Sequence, residues 1–150
     1  MRWLPILALP VACQLWVTGM SSPNPFSIGP GGRNFDPRRP GILRLTRHPV
    51  LWGLGLWSGA HILPNGHVAA LLLFGPMLAM AAAGPVLLDA KRRAALGPEE
   101  WRRLTAATRQ PADGRALVVE IGPWRLVGGL VLFAVLLGLH SLVIGLSPLP

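Results

Sequence analysis

Apolar residues in this chain are bunched into runs rather than alternated with polar ones, and four such runs stand out, over 3–20, 49–63, 68–88 and 126–146. Crossing a hydrocarbon core of roughly 30 Å takes about 20 helical residues. The third and fourth runs meet that length and the first comes close. The second, at about 15 residues, reaches across only if Leu43 and Leu45 extend it or the bilayer thins; its shortness also suits a re-entrant segment. The pattern predicts an all-α polytopic membrane protein with about four transmembrane helices. No internal repeat is evident, and residues 1–150 read as a single membrane domain.

Composition agrees: 51% of residues are hydrophobic, 13% are charged and the mean hydropathy is +0.48. The net charge of +8 changes the picture only through where it falls. All but one of the 14 Lys and Arg lie in two alternate connections, from Arg33 to Arg47 and from Lys91 to Arg125, while the turn Pro64 to His67 has none. The positive-inside rule then puts both basic loops in the cytoplasm and both termini in the periplasm of a bacterial inner membrane. The charge is a topology signal and a surface for anionic membrane lipid. Without interleaved aromatics it excludes a nucleic-acid groove.

Arg2 ahead of an apolar stretch imitates a secretory signal, but Pro5 and Pro10 lie inside it and no small-x-small cleavage site follows. Val11-Ala12-Cys13 has the outline of a lipoprotein box with Pro10 where an aliphatic residue belongs, so the run reads as a helix. The lone Cys13 excludes an intramolecular disulfide.

The two basic loops differ in kind. Residues 21–40 are too rich in Pro, Gly and Ser for a regular element. Residues 89–108 carry strong helix formers broken at Gly97-Pro98, with Glu99 and Glu100 suited to a new helix start. They predict an amphipathic cytoplasmic segment along the headgroups, with Trp101 and Leu104 turned inward.

Candidate chemistry centres on residues 46–66, TRHPVLWGLGLWSGAHILPNG. An ionisable side chain inside a membrane helix is a functional candidate by default. At 3.6 residues per turn Trp57, Ser58 and His61 share one helical face. His61 lies 12 residues past Pro49, roughly 18 Å along the axis, and His140 lies 14 past Leu126, roughly 21 Å, so the two imidazoles sit at matched depth in the outer half of the bilayer. The alternative for each is an interfacial histidine bonded to water or a neighbouring helix. His48, at the mouth of its helix between Arg47 and Pro49, reads as part of a headgroup anchor, and His67 as solvated. Gly53, Gly55 and Gly59 give the second helix a face for close packing, Gly55 and Gly59 at GxxxG spacing.

The order RHP, W, AH and NG in residues 47–66, then LLDAKRRAALG, Trp101, TRQP at 108–111, GR at 114–115 and LHSLVIGLSPLP at the end, resembles the NnrU family of bacterial inner-membrane proteins. That resemblance implies a role in the nitrogen-oxide metabolism of denitrifying bacteria, that is, of nitrite and nitric oxide. A relative, zeta-carotene isomerase, uses b-type haem to isomerise a cis double bond. Its ligand histidine in an Ala-His pair falls on His61, which implies haem b here, a redox or isomerase activity, and His61 and His140 as candidate ligands to the haem iron. A neutral imidazole is a common haem ligand, and an aromatic neighbour such as Trp57 suits a porphyrin face. The helices that carry the isomerase's partner histidine are absent, so the chain reads as an N-terminally shortened member, and Ser58 stands where the isomerase has a cysteine. A second haem ligand then comes from His140, from another copy of the chain or a partner membrane subunit, or not at all.

Two other classes remain open. RHP at a helix mouth also resembles the S-adenosylmethionine-dependent membrane methyltransferases of isoprenylcysteine or phospholipid headgroups, but Leu51 replaces their tyrosine and the acidic pair Glu99-Glu100 follows the Leu-Gly it should precede, where only Asp89 stands. A non-catalytic membrane subunit is the third, since no carboxylate pair, catalytic serine or metal-spaced cluster marks a reaction centre.

Overall fold

The structure is a computed structural model that describes residues 3–111 and 113–148. Six α-helices follow in order: α1 Leu4–Ser21, α2 Pro49–Ile62, α3 Val68–Leu96, α4 Pro98–Thr108, α5 Gly114–Ile121 and α6 Pro123–Ile144, with a single 3-10 turn at Gly41–Arg44 before α2. The apolar helices pack in the order α6, α1, α2, α3, so α1 is flanked by α6 on one side and α2 on the other. Among the described residues there is no strand.

Helices α1, α3 and α6 are long and apolar enough to cross a membrane, which makes this a multi-pass membrane protein. Helix α2 has 14 residues, about 21 Å of axial rise, and does not reach that length. Enclosure compensates for shortness. Leu51, Gly53, Leu54, Ser58 and Ala60 of α2 are buried between α1 and α3, whereas α3 and α6 leave most of their apolar windows uncovered. A helix wrapped by spans need not itself present a full apolar cylinder to lipid.

Glycine sets the closeness of those seams. A Cβ on Gly53 would stand 2.4 Å from Trp16 Cδ1 in α1, and one on Gly84 of α3 would stand 2.6 Å from Leu51 Cδ1. Of the GxxxG pair in the sequence, a Cβ on Gly55 would stand 3.3 Å from Ala81 Cβ, while one on Gly59 would meet nothing within 4 Å. The close approach therefore runs through Gly53, Gly55 and Gly84, not through Gly59.

Helix boundaries follow local chemistry. Pro49 opens α2 at a position whose amide has no intrahelical partner; at the other end the Asn65 side-chain Nδ2 donates to the His61 carbonyl at 2.9 Å. His67 is exposed and also caps α3, its Nδ1 accepting from the Ala70 amide at 3.2 Å. Gly97 and Gly122 each take positive φ, 79° and 92°, and each is followed by a proline that starts the next helix. These two Gly-Pro corners turn the chain where helices meet end to end.

One expectation for the basic region is corrected and another borne out. The third helix does not end with its apolar run at residue 88, because the helix formers of 89–96 carry it on to Leu96 after the hydrophobicity has stopped. Residues 98–108 form the amphipathic helix expected after Gly97-Pro98, with Leu104 and Trp101 turned inward. Helix α4 buries Leu104 and Ala107 and packs with Phe26, Ile42, Leu43 and Ile121 into a small apolar core. Phe26 is fully buried, with Trp101 edge-on at 5.5 Å between ring centroids. The loop at 22–48, although it holds no α-helix, is ordered by Asn24. Its Oδ1 accepts from the Phe26 and Ser27 amides and its Nδ2 donates to the Arg47 carbonyl at 3.0 Å. The two basic connections thus fold together as one cap at one end of the bundle.

Candidate functional site

His61 stands on the last turn of α2, with its ring plane set by two aromatic neighbours and a backbone carbonyl. The Phe74 ring of α3 stacks on it at 5.0 Å with 27° between planes, Trp57 lies 5.2 Å away, and Trp16 of α1 continues the aromatic wall at 6.0 Å from Trp57. The imidazole Nδ1 is 2.7 Å from the Trp57 carbonyl oxygen. A carbonyl can only accept, so Nδ1 carries the proton of that contact and Nε2 is the nitrogen left to coordinate. This is how a carbonyl partner fixes the tautomer and orientation of a histidine that coordinates through its other nitrogen.

Ser58 does not join that group. It is fully buried in the helix seam, and its hydroxyl donates to the Leu54 carbonyl at 2.7 Å. His140 sits on α6 with Nδ1 2.9 Å from the Leu146 carbonyl oxygen, the same tautomer-fixing arrangement as His61. The matched depth does not become proximity. Helix α1 lies between α2 and α6, which share no packed seam. The structure brings Trp57 and His61 together, adds Phe74 and Trp16, and leaves His140 apart.

The other end of α2 carries a second constellation. The Asp89 carboxylate of α3 takes a hydrogen bond from His48 Nε2 at 2.8 Å and a salt bridge from Arg47, whose guanidinium also lies 5.8 Å from the Trp101 ring centroid. Arg47 and His48 therefore form a cluster with Asp89 at the helix mouth, His48 buried within it and Arg47 partly open to solvent. His48 is 4% exposed, and burial pushes its imidazole below the ordinary value, the Asp89 hydrogen bond offsetting this only in part. A neutral His48 donates Nε2–H to Asp89 and leaves a buried Nδ1 without a partner.

Glu120 of α5 was not singled out by the sequence, yet it joins the two basic loops. Arg44 gives it a bidentate pair at 2.9 and 2.8 Å, the Gly41 amide adds a third bond at 3.0 Å, and both side chains are nearly covered. The Arg44 hydrogen bonds hold the Glu120 carboxyl below the usual carboxylate range and raise the Arg44 guanidinium in turn. Its one sequence signal was Asp113, whose side chain caps α5 by accepting from the Ala116 amide.

The NnrU protein family model matches residues 1–148, nearly the whole chain, and takes in α1 as well as the RHP and Ala-His motifs. The chain belongs to the NnrU family. Comparison with curated proteins and with solved structures returned no match. In this NnrU protein the RHP motif is bound to the third helix through Asp89, and the Ala-His motif is walled by aromatics. Glu99 is exposed and Glu100 pairs with Arg103 on the surface, so neither faces Arg47 or His48. The described residues hold no group of three or more His, Cys, Asp and Glu placed to bind a metal ion.

Proposed function

We propose that this NnrU protein works in the bacterial inner membrane, in nitrogen-oxide metabolism, as a b-type haem protein in which His61 would hold the haem iron. The observation that carries the reading is the His61 ring itself, tied through Nδ1 to the Trp57 carbonyl, stacked on Phe74, and keeping Nε2 for coordination. His61 and His140 have the donor chemistry of haem ligands, and an aromatic wall of Trp57 and Phe74 suits one face of a macrocycle. Bound there, haem would supply redox and nitric-oxide-binding chemistry, or the double-bond isomerisation known from the related isomerase. The protein's part is to set the ligand's tautomer and orientation and to keep its surroundings apolar. Because α1 separates α2 from α6, a bis-histidine site using both candidates joins two copies of the chain, so an oligomer belongs to this reading.

The cap supports the sidedness expected from the charges. Arg44 and Glu120 tie the two basic loops to each other at one end of the bundle, and on the positive-inside rule that end is the cytoplasmic one and the Pro64 to His67 turn the periplasmic one. The test is an absorption spectrum of the detergent-purified chain. A Soret band that shifts in His61→Ala and is unchanged in His67→Ala is expected. Saturable S-adenosylmethionine binding by a protein with a featureless visible spectrum would replace this reading with the methyltransferase one.

A further inference from the structure

A cleft of about 350 Å³ opens where the loop before α2 meets the end of α4, lined by Arg44, Thr46, Arg47 and Arg109 on its polar side and by Leu45 and Leu117 on its apolar side. That volume is at the low end for small-molecule sites, enough for a headgroup and not for a whole amphiphile. The three cations are not equivalent. Arg44 is committed through all its nitrogens to Glu120, the Gln110 carbonyl and the Arg38 carbonyl. Arg47 gives Nε and Nη2 to Asp89 and keeps Nη1 unspent. Arg109 is exposed and makes no side-chain hydrogen bond or ion pair among the described residues. Thr46 accepts from the His48 amide and still has its hydroxyl proton to give.

With Arg44 matched by Glu120 and Arg47 by Asp89, the cleft holds one uncompensated positive charge, on Arg109, and three donors with nothing to bond: Arg47 Nη1, the Arg109 guanidinium and the Thr46 hydroxyl. A phosphodiester carries one negative charge and accepting oxygens alone, and arginine suits it by its planar donor fork. Depth identifies the source. The cleft lies three residues before the start of α2 and beside Asp89, one residue past the apolar run 68–88, and Leu45 on its rim is 64% exposed. That is the boundary where a bilayer's phosphates lie and acyl chains begin.

We infer that this cleft is a binding site for the phosphodiester of an anionic phospholipid, held by Arg109, Arg47 Nη1 and Thr46, with the lipid's chains passing over Leu45. The inference rests on the membrane placement of the chain and not on the haem reading, since the lipid measurement is independent of any pigment.

Native mass spectrometry of the full chain in detergent, titrated with phosphatidylglycerol or phosphatidylcholine, tests it. Phosphatidylglycerol should bind in a 1:1 saturable step, and Arg109→Ala should weaken it by roughly ten- to a hundred-fold, the range for hydrogen bonds to a charged group. Arg33→Ala removes the same charge from an exposed loop site outside the cleft and should cost at most about five-fold, the worth of one basic residue near an anionic surface. Arg109→Lys, which keeps the charge and loses the fork, should fall between them. Equal losses in Arg109→Ala and Arg33→Ala would overturn the site in favour of diffuse attraction. Displacement of the lipid by millimolar inorganic phosphate would overturn the lipid assignment in favour of a free phosphate.

Discussion

Replacing Asp89 by Asn tests whether the RHP motif is held by the third helix. The carboxylate takes the His48 Nε2–H at 2.8 Å and the Arg47 guanidinium on its two oxygens. Asparagine keeps one acceptor oxygen and puts an NH2 group where the second stood, so one charge-assisted bond is lost outright and a donor is turned toward a donor. A hydrogen bond to a charged group contributes about 1.5–3 kcal/mol. The Asp89 and Arg47 side chains are 24% and 30% exposed, which pulls the figure to the lower end, about 2 kcal/mol. For a chain of this size that is a fall of roughly 4–8 °C in the unfolding midpoint. Thermal unfolding in detergent, followed by tryptophan fluorescence, reads it directly, and Trp101 beside Arg47 makes the signal partly local. Glu100→Gln serves as the reference, because its pair with Arg103 lies in the open and should leave the midpoint unchanged. Equal midpoints for the two variants would refute the idea that Asp89 anchors the helix mouth.

Acidification should loosen the cap through Glu120. Its carboxyl is held low in the folded protein, so its stabilisation is complete above the ordinary glutamate value of 4.5 and is lost as pH falls through the depressed one; Glu120→Gln should flatten the acid limb of a pH-unfolding curve measured by circular dichroism. Gly84→Ala drives a methyl into Leu51 and should destabilise by about 1–3 kcal/mol, whereas Gly59→Ala meets nothing and should be neutral or stabilising by up to about 1 kcal/mol; matched denaturant titrations compare them. Single-cysteine variants near Arg39 and Arg103 should label from the cytoplasmic face and one at Asn65 from the periplasmic face, and labelling of residue 65 from the cytoplasm alone would invert the topology. Pro150, expected in the periplasm, lies outside the described residues.

The helices were legible because hydrophobic runs report burial in lipid with little interference. The predicted 3–20, 49–63, 68–88 and 126–146 correspond to α1, α2, α3 and α6 within a few residues at most ends. Where the runs failed was at their basic edge: hydrophobicity ends at Leu88, but helix propensity does not, and only the second decides where α3 stops. The cap was legible only in part. Leu104 and Trp101 were expected to turn inward, but their partners Phe26, Leu43 and Ile121 come from separate segments that do not announce a buried face on their own. His61 was legible as a candidate because a histidine in an apolar helix is conspicuous. Its partners were not, since the distance from His61 to Phe74 depends on how α3 is rotated against α2. His140 is separated because α1 lies between α2 and α6, a packing order that depth along each helix does not carry.

Helix α2 ties these observations together. It is too short to cross the membrane as the other helices do, and it carries chemistry at both ends. At the inner end Asp89 and Asn24 hold Arg47 and His48 by side chain and backbone; at the outer end Asn65 closes the last turn and Phe74 covers the His61 ring. Between them Gly53 and Gly55 bring the backbone close to its neighbours, where Trp16 also donates its indole N–H to the Val50 carbonyl at 3.1 Å. A helix fixed at both ends and packed along its length holds its side chains before any ligand arrives. A group coordinating at His61 would therefore meet an imidazole already oriented, and would not have to supply the cost of ordering it. Loosening the inner end should then weaken binding at the outer one. Asp89→Asn should reduce pigment affinity at His61 while leaving the spectrum of the bound form unaltered, because the ligand itself is untouched. A spectrum shifted in that variant would mean that the inner cluster contacts the pigment directly, contrary to its place at the opposite end of α2.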